Sequence, residues 1–319
     1  MTIAGEKMGQ LVKLMDCISR YETDVYYYVP EFIRLKQRQW EQAKARWQAE
    51  RTAEASGWLE TGETWDVLLD KPSWWERLTK RWRRRVVLTE EETFSLAPMA
   101  RPAATLEELK QQFLDELFEL QLKWASSTMM YVSSLDEAVY GDETLKYFLQ
   151  RFPDTHLCFY RPVAMVGKAP VELETMMLTP SALWCIAFVE GRPDNIVMAS
   201  TGRFWVEQAG TNETRLVNPV VSLRRTEQIV SEIFRKHGVD WPIHLVLLNR
   251  YGYIDSGGLF PFIRYIDKRN YDEWFSRLRR SALPLRHGQL KAAEALLRHC
   301  ASFYDRRNDG NMSGEEGQQ

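Results

Sequence analysis

The 319-residue sequence predicts an α+β protein, in which a long-helix N-terminal region precedes a mixed β-sheet with flanking helices. Three observations carry that prediction. Hydrophobic residues make up 45% of the chain and charged residues 27%, so a sizeable core can be buried and wholesale disorder is excluded. The first half repeats its apolar residues at helical spacing. From about residue 156 the period changes to short apolar or alternating runs between turn residues, the pattern of strands.

The elements follow in chain order. Residues 31–54 hold no Gly or Pro, and Phe32, Leu35, Trp40, Ala43 and Trp47 form a loose apolar stripe behind a helix start at Pro30. Residues 106–130 read as a second long helix. Thr105 is its N-cap, Glu108 sits at the capping-box spacing, and Leu106, Leu109, Phe113, Leu117, Leu120 and Trp124 supply the apolar face. The two make an antiparallel helical hairpin within a helical region spanning 1–130. An α/β domain is expected over 131–303. Its strands read at 156–163, 172–179, 183–189, 195–199, 204–208 and 243–249, its helices at 142–151, 220–237, 271–280 and 288–300. The polar stretch 304–319 reads as a disordered tail.

Several function classes are excluded. A net charge of −2 rules out a globally basic nucleic-acid binder. Cys17, Cys158, Cys185 and Cys300 are too scattered for a disulfide scaffold or metal cluster, and the five His form no zinc spacing. No apolar run approaches the roughly 20 residues of a membrane span. The N-terminus lacks a signal core, so a cytoplasmic protein is expected. No glycine-rich phosphate loop or Gly-x-Ser-x-Gly elbow is present.

The densest charge feature is KPSWWERLTKRWRRRVV, residues 71–87. Arg77, Lys80, Arg81, Arg83, Arg84 and Arg85 stand against Glu76, while Trp75, Leu78 and Trp82 share one helical face. Three readings stay open: a solvated helix docked by its tryptophans, a nucleic-acid contact with Trp82 stacking on bases, and a helix on an anionic membrane surface.

The stretch 141–190 reads as helix, strand, strand, strand. Glu143 follows Gly141 at the helix start, and Glu172 and Glu174 alternate on the second strand. Phe204-Trp205 and Asn218-Pro219 come later in order. This pattern resembles the nuclease-related domain (NERD) family of the PD-(D/E)XK nuclease superfamily, over roughly residues 137–250, and the whole chain looks like stand-alone bacterial proteins bearing that domain. The resemblance implies a restriction-endonuclease-like mixed sheet. It also implies a site built on Glu143 and Glu174, with Glu174 as the ligand of any Mg²⁺; Glu190, the nearest acid to the replaced segment, is the third catalytic candidate. The sequence departs from the pattern where the family has Glu-x-Lys, because Ala187, Phe188 and Val189 stand there. Thr175 replaces a common His and Ser222 a common Gln.

The preferred expectation is therefore a catalytically degraded pseudo-nuclease that binds nucleic acid or serves as a scaffold. One alternative is an active Mg²⁺-dependent nuclease with a rearranged site drawing on Glu190 and Lys168. Another is a protein-interaction or membrane-surface adaptor, working with a protein partner or as a homo-oligomer.

For the basic segment the expected outcome is salt-sensitive binding of single-stranded DNA. Changing Arg83, Arg84 and Arg85 to Ala should lower the log–log salt slope by about 2, since each phosphate contact on a single strand contributes about 0.7. Fluorescence anisotropy over a salt series measures it. An unchanged slope would exclude the nucleic-acid contact, and unchanged binding to anionic vesicles as well would leave only a solvated helix.

Overall fold

The structure is a computed structural model that describes residues 8–55, 103–280 and 283–306. The basic segment 71–87 lies outside the described residues, and with it Arg77, Lys80, Arg81, Trp82, Arg83, Arg84 and Arg85. Regular structure opens with β1 (Gln10–Leu14), a 3-10 turn (Arg20–Glu22) and α1 (Val25–Ala55), followed by α2 (Leu106–Trp124), β2 (Tyr131–Val132), α3 (Glu137–Tyr140) and α4 (Glu143–Arg151). A run of strands comes next: β3 (Leu157–Tyr160), β4 (Val163–Val166), β5 (Ala169–Glu172), β6 (Thr175–Leu178), β7 (Leu183–Phe188), β8 (Ile196–Met198), β9 (Phe204–Ala209) and β10 (Asn212–Val217). The chain continues through α5 (Pro219–His237), β11 (Ile243–Asn249), β12 (Tyr253–Asp255), β13 (Ile263–Asp267), α6 (Tyr271–Arg280), α7 (His287–Leu297) and β14 (Asp305–Arg306). The protein is thus mixed α+β.

The chain divides into two compact units, Met1–Lys36 with Leu114–Gln319, and Gln37–Phe113. Within the second unit the Trp40 ring lies 5.2 Å from that of Phe113, and Trp47 Nε1 donates to Ala103 O at 2.7 Å. Within the first, Trp124 gathers Tyr21, Tyr28 and Phe32 around it in edge contacts. Helix α1 starts at Val25, because Asp24 Oδ1 accepts from Tyr27 N at 2.9 Å and caps it there; Pro30 lies inside the helix. Helix α2 stops at Trp124, short of residue 130. Ser126 and Ser127 turn their hydroxyls back onto Leu122 O and Lys123 O.

The main sheet has the order β1-β3-β6-β7-β11-β13. β6 runs against its neighbours, and the other five strands share one direction. β3 and β6 are wholly buried and β7 nearly so, which explains their unbroken apolar sequences. Helix α5 packs on β7 and β11. Asn218 caps it, accepting from Val220 N at 3.0 Å with Pro219 behind it.

The N-terminal stretch is not purely helical, since β1 enters the main sheet beside β3. Its five residues are all buried, Lys13 included. Lys13 Nζ is satisfied at 2.6 Å each by Cys17 O, Glu22 Oε1 and Ser302 Oγ. The stretch expected to begin a disordered tail at 304 contributes β14, which pairs with β2.

A second sheet has the order β10-β9-β8-β12. β7 and β11 are parallel neighbours, and so are their continuations β8 and β12. Both strands break at the same level, where amides close the gap. Asn249 Nδ2 donates to Asn195 Oδ1 (3.0 Å), Asn195 Nδ2 to Glu207 Oε1 (2.8 Å), and Gly252 N to Asn249 Oδ1 (3.0 Å). A Cβ on Gly252 would lie 1.8 Å from Asn195 Oδ1 and 2.4 Å from Asn195 O.

Two stability outcomes follow from this packing. Lys13→Ala strips one partner from a buried ion pair and should cost about 3–5 kcal/mol, whereas Arg277→Ala, breaking an exposed pair with Glu273, should cost less than about 1 kcal/mol. Gly252→Ala overpacks the strand break and should cost about 1–3 kcal/mol. Urea unfolding checks all three, and equal losses for Lys13 and Arg277 would refute the buried network.

Candidate functional site

The parallel strands of the main sheet end on one edge. β6 begins on that same edge, because Thr175 pairs with Ile186 of β7. Residues just outside the strand ends therefore collect there, where open α/β sheets place their ligand crevices. Arg161 follows β3, Glu174 precedes β6, Glu190 follows β7 and Arg250 follows β11.

Glu172 and Glu174 do not share a strand face. The expected strand 172–179 breaks, with β5 ending at Glu172 and β6 starting at Thr175. Glu172 is exposed and pairs with Arg161 at 2.7 Å; its carbonyl accepts from Arg225 Nη2 at 3.4 Å. Glu174 is half-buried against the first turns of α5, where its N–H donates to Thr226 Oγ1 at 3.0 Å. Burial pushes its carboxyl above the usual range. A hydrogen bond from Ser222 opposes that shift, Glu172 adds to it, and the guanidinium groups of Arg225 and Arg161 pull it down. A desolvated carboxyl beside two arginines can exchange protons next to a bound anion.

Glu190 has a different environment. It forms a bidentate pair with Arg250, through Nη2 at 2.7 Å and a shorter contact with Nε, and it accepts from Arg250 N at 3.2 Å. The side chains are only 13% and 7% exposed. The Arg250 guanidinium lies 4.4 Å from the centroid of the Tyr147 ring and 5.1 Å from that of Tyr251. Burial pushes the Tyr147 hydroxyl up to about 12. Glu190 is thus neutralised by a fixed partner and orients the loop after β11.

Glu143 is exposed on the first turn of α4. The acid with local partners there is Asp142, which caps Leu145 N at 2.9 Å and accepts from Tyr160 OH at 2.5 Å. Lys168 sits in the exposed turn between β4 and β5. Ala187 and Val189 are buried, filling core space. Among the described residues no group of three or more His, Cys, Asp or Glu is placed to hold a metal ion. The charged groups bearing on Glu174 are one acid, Glu172, and two arginines, a set suited to an anion rather than to Mg²⁺. Arg161 and Arg225 carried no sequence signal of their own. Only the break between β5 and β6 and the docking of α5 bring them to Glu174.

No protein-family model and no solved structure matches the chain. It is 70% identical over 117 residues to a Geobacillus stearothermophilus protein named RNA 2',3'-cyclic phosphodiesterase. The match spans 37% of this chain and 37% of the relative's length. That name points away from the nuclease-related domain family and to an active enzyme, which overturns the resemblance drawn above and the pseudo-nuclease reading built on it.

The Glu174 environment fixes the sign of a pH effect. Its folded-state pKa is raised, so the protonated form favours folding; this contribution is present below the unfolded pKa and is lost as pH rises through the folded one. Glu174→Gln should therefore gain stability relative to wild type at about pH 8 compared with about pH 4. Thermal melts at the two pH values measure it, and a difference of the opposite sign would contradict the desolvated carboxyl.

Proposed function

We propose that this protein hydrolyses a phosphodiester at an RNA end, taking a 2',3'-cyclic phosphate to a phosphomonoester. The observation that carries the reading is the 70% identity, over 117 residues, to the protein named RNA 2',3'-cyclic phosphodiesterase. The surroundings of Glu174 support it. Arg225 and Arg161 supply planar donors for the two non-bridging oxygens, and Glu172 orients Arg161. Ionised Glu174 takes a proton from the attacking water. The new P–O bond forms as one ring P–O bond breaks, and the proton passes to the ribose oxygen released. The arginines offset charge developing on phosphorus oxygens. No step here calls on a metal.

The order α4, β3, β6, β7, α5, β11 places three antiparallel neighbours before a helix and a parallel strand, which supports a restriction-endonuclease-like sheet. Cys17, Cys158, Cys185 and Cys300 are free thiols, which supports a cytoplasmic setting. No described helix is long and apolar enough to cross a membrane.

The test is hydrolysis of a nucleoside 2',3'-cyclic monophosphate followed by phosphorus NMR. Glu174→Gln should lower kcat by about 10²–10⁴-fold, and a chelator should leave the wild-type rate unchanged. Intact substrate with the wild-type protein, or full activity in the Gln variant, sinks the reading. Chelator-sensitive cleavage would favour the Mg²⁺-dependent nuclease instead.

A further inference from the structure

Helix α5 presents a second feature beside Glu174. Val221, Arg224 and Arg225 are spaced i, i+3 and i+4, so they are neighbours on the helix surface. Val221 is 61% exposed although it is aliphatic. Arg225 lies on the Glu174 side of this group, within reach of Glu172. Arg224 lies on the other side, and its guanidinium carbon sits over the ring of Phe262, 3.9 Å from the centroid, with Phe262 43% exposed. The Phe262 ring is braced by an edge-to-face contact with Phe260 at 6.1 Å, and Phe260 by a stacked contact with the fully buried Trp205 at 6.4 Å. Arg224 pairs with Glu227 at 2.8 Å on the exposed flank.

A guanidinium held this close over an aromatic ring can offer its outer face to a planar base and its edge to a phosphate. A braced ring does not turn away when a base settles on that stack. Exposed apolar surface at Val221 between two arginines suits a ribose crossing between phosphates. The charge is complementary to a polyanion, and the planar stack separates a nucleic-acid strand from a simple anionic surface.

We infer that the first turns of α5 carry a single-stranded RNA away from the reacting phosphate, over Arg225 and Val221, to a base-stacking platform formed by Arg224 and Phe262. The inference rests on the hydrolase reading for its direction, since Glu174 marks the reacting end. The substrate is then the end of an RNA strand several nucleotides long, and a free cyclic nucleotide fills only the part of the site at Glu174.

The test uses the full chain and two probes. The first is a 3'-phosphorylated single-stranded RNA hexamer, which is not consumed, and its binding is read by fluorescence anisotropy. The second is a nucleoside 2',3'-cyclic monophosphate, and its hydrolysis is read by phosphorus NMR. Phe262→Ala and Arg224→Ala should each weaken hexamer binding about tenfold and leave mononucleotide hydrolysis at the wild-type rate. Arg224→Lys keeps the charge but loses the planar face, and should weaken the hexamer nearly as much as Ala does. Hexamer binding equal to wild type in Phe262→Ala, or an Arg224→Lys protein that binds as wild type, overturns the platform. Absent hexamer binding by wild type does the same. If platform-dependent hexamer binding is found while the wild type leaves the cyclic nucleotide intact, the RNA surface stands and the hydrolase reading falls.

Discussion

Two neighbouring parallel strands, β7 and β11, break together, and the polar groups exposed by that break have to be satisfied inside the protein. The amides of Asn195 and Asn249, both without solvent exposure, do this by bonding to each other and to the backbone of the continuing strands. Gly252 leaves them the room. On the outer side of the break the Glu190–Arg250 pair anchors the loop against Tyr147. Without this junction the second sheet has no fixed origin, and neither does α5, whose N-cap Asn218 follows directly from β10 and is held by Gly202 O and Arg203 O. The placement of Ser222 and Arg225 at Glu174 is therefore a consequence of how two strands change direction.

The same chemistry explains why two glutamates on one sheet edge play unlike parts. Glu190 is desolvated but matched by a bidentate guanidinium, and removing that charge from water is offset by fixed hydrogen bonds. Glu174 is desolvated with weaker compensation, from a serine hydroxyl and arginines that are themselves engaged elsewhere. The first arrangement fixes a side chain in place. The second leaves a carboxyl that burial has pushed above its usual range.

Much of the fold was legible in the sequence where burial and periodicity coincide. β7 and β11 are apolar runs buried on both faces, and α5 announces itself by Asn218-Pro219 and its apolar spacing. β1 was not legible, because Gln10 and Lys13 read as solvent-facing residues. Their burial depends on partners up to 289 residues away. The stretch Glu172–Thr175 looked like one strand, because a break between two strands leaves no mark on an alternating pattern. Of the site, Glu174 could be picked out as a carboxylate beside the sheet. Glu190 was picked out equally well and proved to be committed to Arg250, a pairing set by the register of β7 against β11. Arg161 and Arg225 are unremarkable in sequence for the same reason. The likeness to nuclease-related domains rested on element order, and an order of elements does not identify a reaction.

The buried network at Lys13 bears on how the chain folds. Lys13 belongs to β1, yet Ser302, one of its three partners, lies 289 residues further along the chain. Ser302 also donates to Glu22, so the carboxylate paired with Lys13 is itself completed only when that distant segment is in place. β1 pairs with β3 across nearly half the chain, and loop-closure entropy makes such pairing slow. Until β3 and the segment around Ser302 have both docked, β1 stands as an uncovered sheet edge, and the ammonium of Lys13 guards that edge against pairing with other chains.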